Sequence, residues 1–154
     1  MNTTNRHSFH RTAVTLLNIL LITAVLSGCR TAMVTEAPFI DLAGTSWLLI
    51  EMDGEPLPHD FAPRELISLS FSEMESSAHG FSGCNRYGGI FEQEGSSLNF
   101  GNLRSTRMAC PNVEMKVEYR FLETLGSVNS HRLRDGRLVL LANGGERLAF
   151  VPAP

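Results

Sequence analysis

Apolar and hydroxyl-bearing residues alternate along Ile67-Ser68-Leu69-Ser70-Phe71, and the same period of two runs through Ser97-Leu98-Asn99-Phe100-Gly101. That spacing puts apolar side chains on one face of an extended chain and polar ones on the other. Turn signals punctuate these runs at Asp53-Gly54, Glu94-Gly95, Asp135-Gly136 and Asn143-Gly144-Gly145, where glycine supplies the positive φ of a tight hairpin. The pattern predicts strands over 46–52, 66–71, 77–82, 87–93, 97–101, 104–108, 130–134, 137–142 and 146–151, close enough along the chain to pair as antiparallel meanders.

One stretch breaks this rhythm. Val113, Val117, Phe121 and Leu125 recur at every fourth position, while Lys116, Arg120 and Glu123 fall on another side, which predicts an amphipathic helix over 112–126. Pro111 suits its entry and Gly126 its exit. Met115, Tyr119 and Leu122 add a second apolar flank, so the helix is expected across the open side of a curved sheet. Glu118 lies between the two apolar sets, and periodicity assigns it no role. The expected fold is mainly β (α+β): a curved antiparallel sheet or small barrel of about eight or nine short strands, with one amphipathic helix packed against it.

The first 28 residues read differently. Arg6 and Arg11 form a positive region without acidic residues, and an apolar run from Ala13 to Val25 follows. The run falls short of the ~20 residues of a membrane span and suits the hydrophobic part of a signal peptide. It ends in Leu26-Ser27-Gly28-Cys29, which resembles a lipobox, the site where a cysteine is lipidated and the bond before it cleaved. Residues 1–28 are therefore expected to be removed, Cys29 to carry the lipid, and 29–42 to be the lipidated N-terminus and tether, of which 30–40 reaches on the order of 40 Å when extended. Three acyl chains would anchor such a cysteine durably. Arg30 rather than Asp after the cysteine favours the outer membrane, facing the periplasm.

Composition narrows the partners. The chain holds 13 basic and 16 acidic residues; residues 1–28 contain two of the arginines and none of the acids, leaving 11 against 16. An acidic domain without a Lys/Arg block argues against nucleic acid. Of three cysteines, Cys29 is assigned to lipid, and Cys84 and Cys110 remain as an even pair for a disulfide in an oxidising compartment. Closing a loop of that length contributes roughly 3.5 kcal/mol by chain entropy.

The densest chemistry is Gly80-Phe81-Ser82-Gly83-Cys84-Asn85-Arg86-Tyr87-Gly88-Gly89. A catalytic reading makes Cys84 a nucleophile with His79 as base, but a disulfide to Cys110 removes the reactive thiolate. A metal site from His79, Cys84 and Cys110 lacks ligand spacing. A serine triad drawing on His59, His79 or His131 has no G-x-S-x-G elbow, and the glycines lack the lysine of a phosphate loop. No catalytic, cofactor-binding or metal-binding residue is assigned. Arg86, Arg104 and Arg107 would gather near the disulfide if it forms, although a scattered, solvated set explains them as simply.

Taken together, Gly44-Thr45-Ser46-Trp47, the Gly80–Gly89 segment, Thr106-Arg107-Met108-Ala109-Cys110, a helix with Glu118 and Phe121-Leu122, and a closing Leu138–Phe150 hairpin resemble the META domain of HslJ-type lipoproteins over about residues 43–151. The domain is placed at 43–152. The resemblance implies a mainly β fold with one helix on a lipoprotein or secreted carrier, sometimes linked to heat shock, novobiocin resistance, motility or secretion, with no enzymatic activity or cofactor established. It carries over Trp47 as a core aromatic, Cys84 with Asn85 at a turn, and Cys110 before the helix. The function expected is that of a non-enzymatic, monomeric envelope lipoprotein that binds a protein, peptide or wall partner in stress tolerance. The alternatives are a carrier for a small apolar ligand or lipid, and a hydrolase with an unrecognised site.

Overall fold

The computed structural model describes residues 40–154. The expected signal peptide, Cys29 as the expected lipid site, and nearly all of the expected tether lie outside the described residues. Nine strands, β1 (Ser46–Met52), β2 (Glu55–Pro56), β3 (Ser68–Phe71), β4 (Ser77–Phe81), β5 (Arg86–Glu94), β6 (Ser97–Ser105), β7 (Ser130–Arg134), β8 (Arg137–Ala142) and β9 (Gly145–Pro152), form one curved sheet with antiparallel pairings. One helix, α1 (Asn112–Gly126), separates β6 from β7. The strand order is β2-β1-β3-β4-β5-β6-β7-β8-β9, and β1 also pairs with β9, so the sheet curves until its last strand meets its first. Among the described residues no helix is long and apolar enough to cross a membrane.

The alternation read from sequence is what the core uses. Leu69 and Phe71 of β3 are buried, while Ser70 points outward and accepts a hydrogen bond from Ser46 Oγ at 2.9 Å. In β1, Trp47 and Leu49 face inward, and a register shift between Leu49 and Glu51 changes the phase so that Met52 also turns inward. Trp47 is thus a core aromatic, with its indole N–H donating to Thr45 Oγ1 at 2.8 Å. Asp53-Gly54, Asp135-Gly136 and Asn143-Gly144 each have positive φ at both positions, the backbone of type I′ turns.

Several strand ends lie one or two residues from their expected places, the short β2 was not expected, and two differences go further. The strand expected at 97–101 continues to Ser105 as one strand, β6, carrying a bulge, while 106–108 of the strand expected at 104–108 is not strand: Gly88 pairs with Arg104 and Ile90 with Gly101, and Asn102 takes φ 52° in the extra length. The exit of α1 is made by Ser127 in right-handed geometry, its N–H donating to Thr124 O at 3.0 Å, rather than by a left-handed Gly126.

α1 packs against β6 and β9. Val117, Phe121 and Leu125 are buried, and the Phe121 ring meets Tyr87 edge-on at 5.5 Å. Burying a side chain of this kind contributes about 1.5–3 kcal/mol. Of the second apolar flank only Leu122 packs against this core, half-buried, while Met115 and Tyr119 are exposed. The helix connects β6 and β7, two strands whose ladder holds the single Ser97–Ser130 pair.

Candidate functional site: the stapled corner between β4, β5 and the helix

The loop Ser82-Gly83-Cys84-Asn85 reverses the chain between β4 and β5. Ser82 N–H donates to Asn85 O at 2.9 Å, and Gly83 has φ 107°, where a β-carbon would meet the Phe61 ring at 3.0 Å. The turn presents two fixed points. Cys84 is joined to Cys110, with 5.9 Å between their α-carbons, which ties the turn to the segment just before α1. Asn85, 4% exposed, uses both ends of its amide: Oδ1 accepts from Thr106 Oγ1 at 2.9 Å and Met108 N–H at 2.7 Å, and Nδ2 donates to Glu118 Oε1 at 2.9 Å.

Glu118, which periodicity left without a role, is the helix's side of this corner. Its Oε2 accepts from Asn85 N–H at 2.7 Å and from the Ser82 hydroxyl at 2.5 Å. The hydroxyl also lies 2.7 Å from Asn85 O, but that carbonyl already takes Ser82 N–H, and the single hydroxyl proton is better placed on the carboxylate. Three donors on one carboxylate replace the water it loses beside the helix, so Glu118 holds the turn rather than offering a reactive group.

Glu114, one helical turn earlier, is in a different position. It is 9% exposed, yet its Oε2 has no hydrogen-bond partner. It lines an open cleft of about 460 Å³ together with Phe81, Cys84, Met108, Cys110 and Pro111, with Arg64 also in the lining. Arg64 turns an Nη2 toward Met108 Sδ at 4.0 Å and makes no ion pair with Glu114. On the other flank of Glu118 a second hollow of about 560 Å³ lies between β6 and α1, lined by Leu103, Met115, Tyr119 and Leu122.

The remaining candidates do not converge. Cys84 is consumed in the disulfide, and His79 lies exposed on β4 opposite Gly88. His59 is exposed in the loop after β2, and His131 is buried in β7. Among the described residues no group of three or more His, Cys, Asp or Glu side chains is placed to hold a metal ion. Arg86 and Arg104 come to the same end of the β5–β6 ladder, but Arg86 is paired with Glu65 at 2.9 Å, and all three arginines are exposed.

Two further polar groups fix the frame around the corner. Burial pushes the Asp53 carboxyl upward, but hydrogen bonds from Arg120 and Arg147 outweigh it and hold Asp53 below its ordinary value of 3.8. Arg120 donates to Asp53 Oδ2 from Nε at 2.9 Å and from Nη2 at 2.7 Å, so the β1–β2 turn is tied to α1. At the opposite end, Gln93 accepts Leu42 N–H at 3.0 Å and donates to Ile40 O at 2.6 Å, clamping the first described residues to the sheet. His131 stands beside this clamp, its Nε2 3.4 Å from Ile40 O. Burial lowers its basicity, opposed in part by hydrogen bonds to the backbone of Ile40 and Ser96.

A curved antiparallel sheet, one helix packed against β6 and β9, and a disulfide corner bound to that helix by an Asn–Glu pair define a class of small β domain. The META domain profile matches residues 40–154, and the chain belongs to the META domain family. Among solved structures it is similar to a protein from Burkholderia xenovorans determined by NMR, at 27% identity and a TM-score of 0.59, covering 82% of this chain and 97% of that one. A second NMR structure matches at 23% identity and TM-score 0.55, over 71% and 90% of the two chains. A crystal structure of a DUF4847 family protein from Bacteroides vulgatus matches at 15% and 0.51, over 71% and 93%. These last two show the fold alone. No curated protein matches the sequence.

Proposed function

We propose that this META domain protein is a non-enzymatic lipoprotein of the bacterial envelope, anchored through lipid on Cys29, and that its stapled corner binds a protein or peptide partner in envelope stress tolerance. The observation that supports a binding role is the pairing of rigidity with exposure. The turn holding Cys84 and Asn85 is fixed by a disulfide and by hydrogen bonds to Glu118, while Met108, Met115 and Tyr119 around it are 44%, 48% and 69% exposed. A fixed surface loses little freedom on binding, and thioether and aromatic side chains supply adaptable apolar contact. Carriage of a small apolar ligand would need interior space, which Leu69, Leu98, Phe121, Leu140 and Phe150 occupy, each completely or almost completely buried.

Quantitative crosslinking in intact cells tests the proposal, with a variant keeping residues 1–42 alone as the control. A reproducible partner enriched over that control is expected; equal recovery from both would overturn the binding role. The anchor is tested separately by the mass of the mature N-terminus, where an unmodified Cys29 would overturn it.

A further inference from the structure

We infer that the cleft beside the disulfide is a recognition pocket for an alkyl cation, the side chain of a lysine or arginine, accepted by the carboxylate of Glu114. The inference rests on the binding role above and names the chemistry of the partner.

Glu114 is more than nine-tenths buried and its Oε2 has no partner, an arrangement that costs free energy unless something completes it. The contrast with Glu118 is internal to the same helix. Four residues apart, the two carboxylates lie one above the other on one side of α1; Glu118 carries three hydrogen bonds from the turn, while Glu114, a residue of the cleft lining, keeps a buried Oε2 with none. The position of Glu114 in the first turn of α1 is electrostatically favourable for an acid, but the helix end supplies no hydrogen bond to Oε2.

The rest of the lining fits the stem of such a ligand. Phe81, Met108, Pro111 and the Cys84–Cys110 disulfide give apolar and sulfur surface for a methylene chain. The charge of the partner then follows from the one unmatched group. Arg64, the one cation in the lining of the cleft, is exposed and directed at Met108 rather than at the acid. The volume of about 460 Å³ leaves room for a long side chain but makes no enclosed chamber, as suits a residue delivered on a peptide.

The probe is n-butylammonium, with n-butanol as its uncharged counterpart at equal ionic strength. The full chain is labelled at the methyl groups of its six methionines, so that Met108 reports the cleft and Met115 a face outside it. The Met108 resonance is expected to shift saturably with n-butylammonium and about tenfold or more weakly with n-butanol, the equivalent of one charge-assisted hydrogen bond. Glu114→Gln is expected to remove that preference. Ala109→Trp, at an exposed lining position, is expected to block both probes and keeps the test open if Glu114→Gln fails to fold. Equal response to both probes, a response unchanged in either folded variant, or no saturable shift would overturn the inference. A crosslinked partner recovered in cells alongside such a result would leave the binding role standing and remove only the cationic pocket.

Discussion

Asn85 and Glu118, 33 residues apart in sequence, meet through two hydrogen bonds, backbone N–H to Oε2 at 2.7 Å and side-chain Nδ2 to Oε1 at 2.9 Å. The pair locks the helix to the β4–β5 turn next to the point where Cys110 is bound to Cys84. Covalent and polar constraints therefore act on the same corner. Glu118→Ala leaves three donors without their acceptor and is expected to cost about 2–3 kcal/mol, as is Asn85→Ala. Because each variant breaks the same contact, the double variant should cost at least ~1 kcal/mol less than the sum. Urea unfolding of the four proteins checks this, and additive costs would mean that the pair is not a unit.

Cys84→Ser with Cys110→Ser should lower stability by roughly 3.5 kcal/mol, because the unfolded chain regains the freedom of the loop. The corner should stay recognisably native, since Asn85 retains Glu118 on α1 and Thr106 and Met108 in the segment after β6. The check is a comparison of denaturant midpoints with intact and replaced cysteines. An unchanged midpoint would leave the disulfide without the stabilising role given to it here.

Gly80 is expected to tolerate no side chain. A β-carbon there would lie 2.0 Å from Ser68 O, the carbonyl that accepts the Tyr87 hydroxyl at 2.8 Å. Gly80→Ala should cost about 3 kcal/mol or more, whereas Gly136→Ala, which meets open space and suffers only from φ 75°, should cost about 1 kcal/mol. Thermal unfolding ranks the two directly, and the reverse order would contradict the packing described around Tyr87.

Acid should destabilise the domain in two steps. His131 binds its proton less readily when folded than its ordinary value of 6.5, so the unfolded chain takes up protons first and stability falls as the pH drops below that value. Asp53 and Glu146, held low by their arginines in spite of burial, contribute stability that is full above the ordinary carboxylate values of 3.8 and 4.5 and is lost as pH falls toward their folded values. His131→Gln should flatten the first step, and Asp53→Asn part of the second. Urea midpoints measured from pH 7 to pH 3 test this; a first step that survives His131→Gln would contradict it.

Much of this architecture was legible from spacing alone. The helix read as 112–126 is Asn112–Gly126, because Val117, Phe121 and Leu125 form a stripe that only a helix can bury together. The type I′ turns were written in Asp-Gly and Asn-Gly pairs. What failed to show was non-local. Gly101-Asn102 looked like the end of a strand, but opposite Gly89 it makes a bulge, and a bulge depends on the partner strand. Glu118 had no role in its own helix because its donors come from Ser82 and Asn85. Glu114 and Glu118 share the same spacing and residue type, and only the tertiary fold separates a satisfied acid from an unsatisfied one.

The claim that this corner is the working surface is tested most directly by site-specific photocrosslinking in intact cells. A crosslinker at Met108 is compared with one at Arg134, in the β7–β8 hairpin and exposed. A discrete adduct formed from Met108 and absent from Arg134 is the expected result. The same adducts from both positions, or none from Met108, would contradict the account.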